Sequence, residues 1–275
     1  MSIVISICIP TFNRPKLLKK CLDSILLHAP IDKKNIEICI SNNNSDENYS
    51  FIDDYLCRQD INTSYSLQSE TISLDENMWK VISMSSGEYV FLLGDDDYLT
   101  SGIEKLLTFI EGGELDLVPL SGEHIDAYGG FISVHNPKFC CESLSILEKF
   151  EYLVYLLPFG SLLVKRSVYD KATFNRFIGT YHAYASFWLT FLRMYERGEI
   201  VNICSYKDKI VALRSSKKTY DAYYFDVVAR GIPSFFNILK NEVSSGQSLR
   251  VFKNVIDEYK STLLSVKSTY VFILK

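Results

Sequence analysis

Val90-Phe91-Leu92-Leu93-Gly94-Asp95-Asp96-Asp97-Tyr98-Leu99 is an apolar run that ends in three consecutive carboxylates. The apolar half fits a strand buried on both faces, the kind found in parallel sheets. Three like charges at the mouth of such a strand repel one another. Burying them unpaired is costly or shifts their pKa values. A cation removes that difficulty, and hard divalent ions such as Mg²⁺ and Mn²⁺ bridge protein carboxylates to substrate phosphates. Ligands of open α/β sheets also bind at the carboxyl ends of the strands. The plain alternative is an acidic helix start, with Asp97 ahead of Leu99, Ser101 and Gly102. A cap needs one acid and this stretch has three, which favours the metal.

On either side of this stretch, strand and helix signals alternate. Residues 3–9 read as a buried strand, broken by Pro10-Thr11-Phe12-Asn13-Arg14-Pro15, where Asn13 suits a helix cap and Pro15 a first turn. Leu17, Leu18, Cys21, Leu22, Ile25 and Leu26 then recur at helical spacing. A second strand over 36–40 runs into Ser41-Asn42-Asn43-Asn44-Ser45-Asp46, followed by a helix bearing Phe51, Ile52, Tyr55 and Leu56. A weaker strand at 64–67, a helix over 74–85, the acid-bearing strand, a helix over 103–110 and a strand over 115–120 complete the pattern. The alternation predicts a parallel sheet with right-handed crossovers.

Beyond Gly122 the pattern loosens. Gly129-Gly130 predicts a hairpin turn, and a helix over 144–157 and a strand over 161–164 follow. An aromatic helix is expected over 183–195, a strand or hairpin over 200–213, and two helices over 218–240 and 248–272. The pattern divides the chain into a regular first part (1–120), a looser second part (121–216) and a helical C-terminal extension (217–275).

With 47% hydrophobic and 13% aromatic residues, the 275 residues can bury a sizeable core. The net charge of −4 argues against nucleic acid as a partner. Residues 217–275 differ, with nine Lys/Arg against five Asp/Glu. Seven cysteines without a C-x-x-C pair suggest neither a zinc site nor a disulfide framework, which points to reducing cytosol. Residues 3–9 are too short for a signal peptide, and no stretch approaches the ~20 apolar residues of a membrane span. A cytoplasmic protein, soluble or peripheral to the membrane, is expected.

Three loops should meet at one sheet edge: 10–14, 41–46 and 94–97. Together they would line a polar crevice suited to a nucleotide. No G-x-G-x-x-G follows the first strand and no Walker A sequence is present. The ordered set Pro10-Thr11-Phe12-Asn13-Arg14, Ile40 to Asp46, Asn77 and Gly87 to Asp97 resembles family 2 glycosyltransferases of GT-A fold. The G-D-D-D variant resembles members that build bacterial O-antigen or capsule repeat units, abequosyltransferase-like enzymes among them. The resemblance covers residues 3–120 well and the remainder loosely.

The resemblance implies an α/β fold, with a mainly parallel sheet flanked by helices and a helical C-terminal extension. It makes residues 1–120 the nucleotide-sugar-binding half and 121–216 the acceptor-binding half, and implies a nucleotide-sugar donor resting on Thr11, Asn13, Arg14 and the Asn42 loop, with Asn77 and Asp96 beside it. Asp95 and Asp97 would serve as a D-x-D pair holding Mn²⁺ or Mg²⁺ against the diphosphate. Relatives often carry Asp where this chain has Asn42. An amide donates as well as accepts, so UDP, dTDP, CDP and GDP all stay open.

Inverting transfer also needs a base for the acceptor hydroxyl. The resemblance implies an acid near the start of a helix in the second half, and residues 179–184 contain none. His182 is the titratable group there, with an ordinary pKa of ~6.5; a histidine packed under the aromatic helix is the alternative. Glu123, His124 and Asp126 form a second set, from which Asp126 is taken as the other catalytic candidate. Competing classes are a sugar-nucleotide nucleotidyltransferase and a non-catalytic nucleotide-binding module. The implied acceptor is a glycan or lipid-linked oligosaccharide. The basic, aromatic residues 217–275, Phe235, Phe236, Phe252, Tyr259 and Tyr270 among them, would then face a membrane; the alternative is that the stripe from Phe252 to Tyr270 packs on the catalytic domain or on a second copy of the chain.

Overall fold

β1 (Ile5–Thr11), β2 (Ile36–Asn42) and β4 (Tyr89–Leu92) are buried at every residue, as β-branched and aromatic runs covered on both faces must be. In the computed structural model, which describes residues 3–30, 33–57, 61–135, 159–214 and 225–242, these strands lie side by side. With β3 (Asn62–Leu67) they form an all-parallel half-sheet in the order β3-β2-β1-β4. The crossovers are α1 (Pro15–His28), α2 (Phe51–Leu56) and α3 (Leu74–Met84). A full capping box starts α3: Ser73 accepts from the Glu76 N–H while the Glu76 carboxylate accepts from the Ser73 N–H.

Past β4 the sheet becomes mixed. β6 (Leu117–Ile125) is not the next parallel neighbour of the acid-bearing strand. β8 (Leu162–Lys165) inserts between them, antiparallel to both. β6 also pairs parallel with β9 (Tyr206–Arg214) and antiparallel with β7 (Phe131–His135), which forms the expected hairpin. β5 (Tyr98–Leu99), only two residues long and directly after the acids, closes onto β9.

α4 (Ile103–Glu111), α5 (Lys171–Asn175), α6 (Phe187–Glu196) and α7 (Ile232–Glu242) complete the described helices. The aromatic helix begins at Phe187, later than expected, because a 3₁₀ turn occupies Ala183–Ala185. A π-helical stretch, Phe225–Gly231, leads into α7. The helices expected over 144–157 and 248–272 lie outside the described residues.

The two-residue period of the strands divides the core. Ile5, Ile7, Ile9, Tyr89 and Phe91 pack with Leu18, Leu22 and Ile25 of α1 and Leu106 of α4. Cys8, Val90 and Leu92 belong to a second cluster with Val81 of α3, Phe187, Trp188 and Phe191 of α6, and Phe235 and Phe236 of α7. Phe235 and Phe236 are 4% and 3% exposed, so they are core residues rather than membrane-facing ones, which corrects that expectation. Glu242 latches α7 down through Arg176 and, at 2.9 Å, Arg193. Cys8, Cys21 and Cys39 are buried free thiols, whereas Cys204 is disulfide-bonded, against the expectation of none.

Candidate active site

The loops after β1, β2 and β4 do meet, and hydrogen bonds show how. The Asn43 N–H donates to the Thr11 carbonyl at 3.0 Å. Asn13 adopts the left-handed region (φ 53°), which asparagine tolerates better than most residues. There its Oδ1 accepts from the Asp46 N–H and its own N–H donates to Ser45 Oγ, both at 2.9 Å. Asn13 therefore staples loop to loop. It does not cap α1, where the cap position is Arg14 and no side chain bonds the helix.

Thr11 Oγ donates to Asp95 Oδ2 at 2.8 Å, and the Arg14 guanidinium meets Asp95 Oδ1 at 3.1 Å and Asp96 Oδ2 at 3.5 Å. Tyr49 Oη lies 3.0 Å from Thr11 Oγ and accepts from the Arg14 N–H at 2.9 Å. Because the Thr11 proton is given to Asp95, the Tyr49 hydroxyl must donate to Thr11. A relay thus runs from Tyr49 through Thr11 to Asp95.

Asp97 is held differently. Its Oδ1 accepts from the Arg214 N–H at 2.8 Å, and its Oδ2 lies between Gly94 and Gly160. A Cβ at either glycine would stand 2.6 or 2.7 Å from that oxygen, so a side chain at either position would displace the Asp97 carboxylate. Gly160 also has φ +92°, which disfavours any side chain.

Asp95 and Asp97 are 5% and 6% exposed. Burial pushes the Asp95 carboxyl up to about 6, against the opposing pull of Arg14. Burial, then the neighbouring Asp96 charge, holds Asp97 well above the usual carboxylate range. Among the described residues no three Asp, Glu, His or Cys side chains converge as a complete metal-ligand set. Two buried carboxylates with raised pKa values still fit a hard cation, since Mg²⁺ characteristically takes one or two carboxylates and completes its shell with water and substrate phosphate.

Asn42 and Asn77 sit at the same edge with their amides engaged. Asn42 Nδ2 donates to Tyr65 Oη at 2.9 Å and its Oδ1 accepts from the Ser45 N–H at 3.0 Å. Asn77 is buried, not on the helix surface: Ser41 Oγ donates to its Oδ1 at 2.7 Å, tying α3 to the end of β2.

His182 lies on the loop before α6. Its Nε2 donates to the Val227 carbonyl at 3.2 Å, and its ring lies 6.1 Å from Tyr184 and 6.3 Å from Phe235. Burial lowers its pKa, so the ring is neutral at pH 7. Tyr184 meets Phe159 edge-on at 5.4 Å, and Phe159 precedes the Gly160 that abuts Asp97. The rings of His182, Tyr184 and Phe159 therefore pack in sequence, and the Gly160 backbone carries the path on to Asp97. Asp126 caps the β6–β7 hairpin, accepting from the Tyr128 and Gly130 N–H groups at 2.8 Å, which lowers its pKa. It lines a cleft of about 480 Å³ with Lys20, Tyr98 and Arg214. Glu123 faces Lys209, and His124 stacks edge-on to His135.

Sequence reading missed Tyr49, Gly160 and Asp75. Asp75 is buried at the start of α3, and its carboxylate accepts from the N–H groups of Gly179, Tyr181 and Ala183. Nothing local in the sequence marks them, since each acts on a segment far along the chain.

The structure has the GT-A architecture. It superimposes on S. aureus TarS (residues 1–349, described in complex with UDP) with a TM-score of 0.67, at 14% identity over 94% of this chain and 72% of that one. A second likeness is to the mannosyltransferase PcManGT of Pyrobaculum calidifontis, described with GDP-Man and Mn²⁺. There the TM-score is 0.54, with 13% identity over 99% of this chain and 81% of that one. In sequence the chain is 29% identical over 198 residues to abequosyltransferase RfbV of Salmonella typhimurium, covering 64% of this chain and 57% of that protein. It is 26% identical over 264 residues to the GalNAc(5)-diNAcBac-PP-undecaprenol beta-1,3-glucosyltransferase of Campylobacter jejuni, covering 93% and 80%. The chain thus spans little more than half the length of the abequosyltransferase. The model of glycosyl transferase family 2 matches residues 6–192, a stretch holding the three loops, Asp95, Asp97 and His182. The chain belongs to glycosyl transferase family 2.

Proposed function

We propose that this protein transfers a sugar, with inversion and with a divalent cation, from a nucleoside-diphosphate donor to a glycan acceptor. The observation that carries the reading is the meeting of Thr11, Arg14 and two buried, charge-disfavoured carboxylates, Asp95 and Asp97, at one sheet edge. Asp95 and Asp97 would hold Mn²⁺ or Mg²⁺, which supplies Lewis-acid stabilisation of the departing diphosphate. Arg14, at the helix start, adds positive charge where the leaving group's charge grows. Asn13 and Asn42 set the shape of the donor loop, and Asn77 holds the end of β2 beneath it.

In the transfer step the acceptor oxygen forms a bond to the anomeric carbon while the bond to the diphosphate breaks. The nucleoside diphosphate leaves with the electron pair, and the acceptor proton passes to a base. His182 suits that role better than Asp126. Its Nε2–H is committed to Val227, so Nδ1 carries the lone pair, and its ring is neutral at pH 7. The carboxylate of Asp126 is instead stabilised by the hairpin it caps, which makes it a weak base. His182→Gln should lower kcat by about 100-fold while leaving donor affinity intact; unchanged turnover would move the role to Asp126.

Uridine and guanosine diphosphate sugars are first choices because the two structural relatives above are described with UDP and with GDP-Man. A polyprenyl-diphosphate-linked glycan is a matching acceptor class, by the name of the C. jejuni relative. Residues 217–275 then remain the segment to bring the protein to a lipid surface, through their basic residues rather than Phe235 or Phe236. Product analysis decides between classes. A transferase converts the sugar nucleotide to nucleoside diphosphate only with divalent metal and acceptor. Formation of nucleoside triphosphate from sugar nucleotide and pyrophosphate would identify a nucleotidyltransferase instead.

A further inference from the structure

We propose that Asp75 is a positioning residue: its buried carboxylate gathers the loop before α6 and so fixes the imidazole of His182 against Val227. The inference rests on His182 being the base in the reading above, and it deepens that reading by assigning what orients it.

Asp75 is 2% exposed, and a buried carboxylate must find donors. It finds them in one loop. Oδ2 accepts from the Gly179 N–H at 2.8 Å and the Tyr181 N–H at 3.0 Å, and Oδ1 accepts from the Ala183 N–H at 3.2 Å. Turning alternate N–H groups towards one carboxylate needs unusual backbone angles. Gly179 has φ 90° and Tyr181 has φ 63°, the latter a strained choice for an aromatic residue. A non-glycine residue holds such an angle only where its surroundings over-determine it, and the three bonds to Asp75 do so. His182 lies between two of the three tethered residues. Its own N–H is turned to Thr180 Oγ at 3.2 Å, and its Nε2 meets the Val227 carbonyl. Gly231 seals the arrangement from the other side, where a Cβ would stand 2.2 Å from the Thr180 carbonyl oxygen.

The position of Asp75 on α3 gives the contact its meaning. Two residues on, Asn77 grips Ser41 at the end of β2. One turn of helix therefore holds the donor-side loop with Asn77 and the His182 loop with Asp75. The relative placement of the two is set by a rigid element rather than by the loops themselves.

The test reads the imidazole directly, without substrate. In the full chain uniformly labelled with ¹⁵N, the His182 ring signals are assigned by their loss in His182→Gln, and the Asn77 side-chain amide signal, on Ser41, reports on α3. The wild type should show a single Nε2–H tautomer at pH 7 with a midpoint below 6.5. Asp75→Asn replaces an acceptor oxygen with an N–H donor and should produce mixed tautomers and a midpoint raised towards the ordinary imidazole value, with the Asn77 signal unmoved. Gly179→Ala places its Cβ in open space, so it perturbs only the φ +90° backbone. It should shift His182 the same way while leaving Asp75 in place, and it serves if Asp75→Asn does not fold. Wild-type His182 signals in every variant that folds would overturn the proposal, as would loss of the Asn77 signal together with that of His182, which would mark collapse of α3. Failure of the base assignment shows separately, as normal turnover in His182→Gln.

Discussion

Asp95 sits between a guanidinium and a threonine hydroxyl, yet its carboxyl titrates near 6, because burial outweighs both. A folded pKa raised above the unfolded value means that the contribution to stability is fully present below about 4 and is lost as pH rises through about 6. At neutral pH the ionised group costs on the order of 3 kcal/mol, the free-energy equivalent of that displacement. The cation-free protein should therefore resist urea better at pH 5.5 than at pH 7.5 on this group's account, and Asp95→Asn should flatten that dependence. An equal urea-midpoint difference in both proteins would contradict the assignment. Tyr49 is a second residue-scale case. Tyr49→Phe removes the proton given to Thr11 and the acceptor of the Arg14 N–H. It should cost about 1 kcal/mol by urea denaturation and weaken nucleotide binding measured by calorimetry. The run of three acids announced Asp95 and Asp97 in the sequence because like charges beside an apolar strand demand a reason. Tyr49 and Asp75 gave no such signal, since each is an ordinary polar residue until folding brings it to Thr11 or to the 179–183 loop.

At the scale of elements, the parallel half was legible because β1, β2 and β4 are short, wholly buried apolar runs separated by amphipathic helices, and strand-helix alternation alone predicts parallel pairing, even for β4, which pairs with β1 some 84 residues back. The mixed half was not. Leu162–Lys165 carries no mark saying that it must slip between β4 and β6, and Tyr98–Leu99 is too short to have a period. The 3₁₀ turn before α6 escaped notice for a related reason: apolar spacing continues through it, while Asp75 distorts the backbone from another helix. One residue of β6 does encode its pairing. Gly122 lies so close to β9 that a Cβ would fall 2.2 Å from the Val211 carbonyl oxygen. Gly122→Ala should destabilise the protein by about 1–3 kcal/mol through forced separation of the strands. A urea midpoint equal to wild type would show that β6 and β9 pack more loosely than described.

For the molecule as a whole, the acids, the loops after β1 and β2 and the His182 loop are tied together through the sheet and α3. No helix among the described residues is long and apolar enough to cross a membrane. Described residues of the 217–275 segment pack into the core through α7, so this segment is in part built into the core rather than a free extension. The composition of the segment could not reveal this, because aromatic residues serve a core and a membrane interface equally well. The most direct measurement is calorimetric titration of UDP, GDP, CDP and dTDP, with and without Mn²⁺, into the wild type and Asp97→Asn. At least one nucleotide should bind the wild type only with Mn²⁺, and that binding should vanish in Asp97→Asn while the cation-free melting temperature holds or rises. Equal nucleotide binding by both proteins, or binding indifferent to Mn²⁺, would contradict the assignment of the buried acids to a donor–metal site.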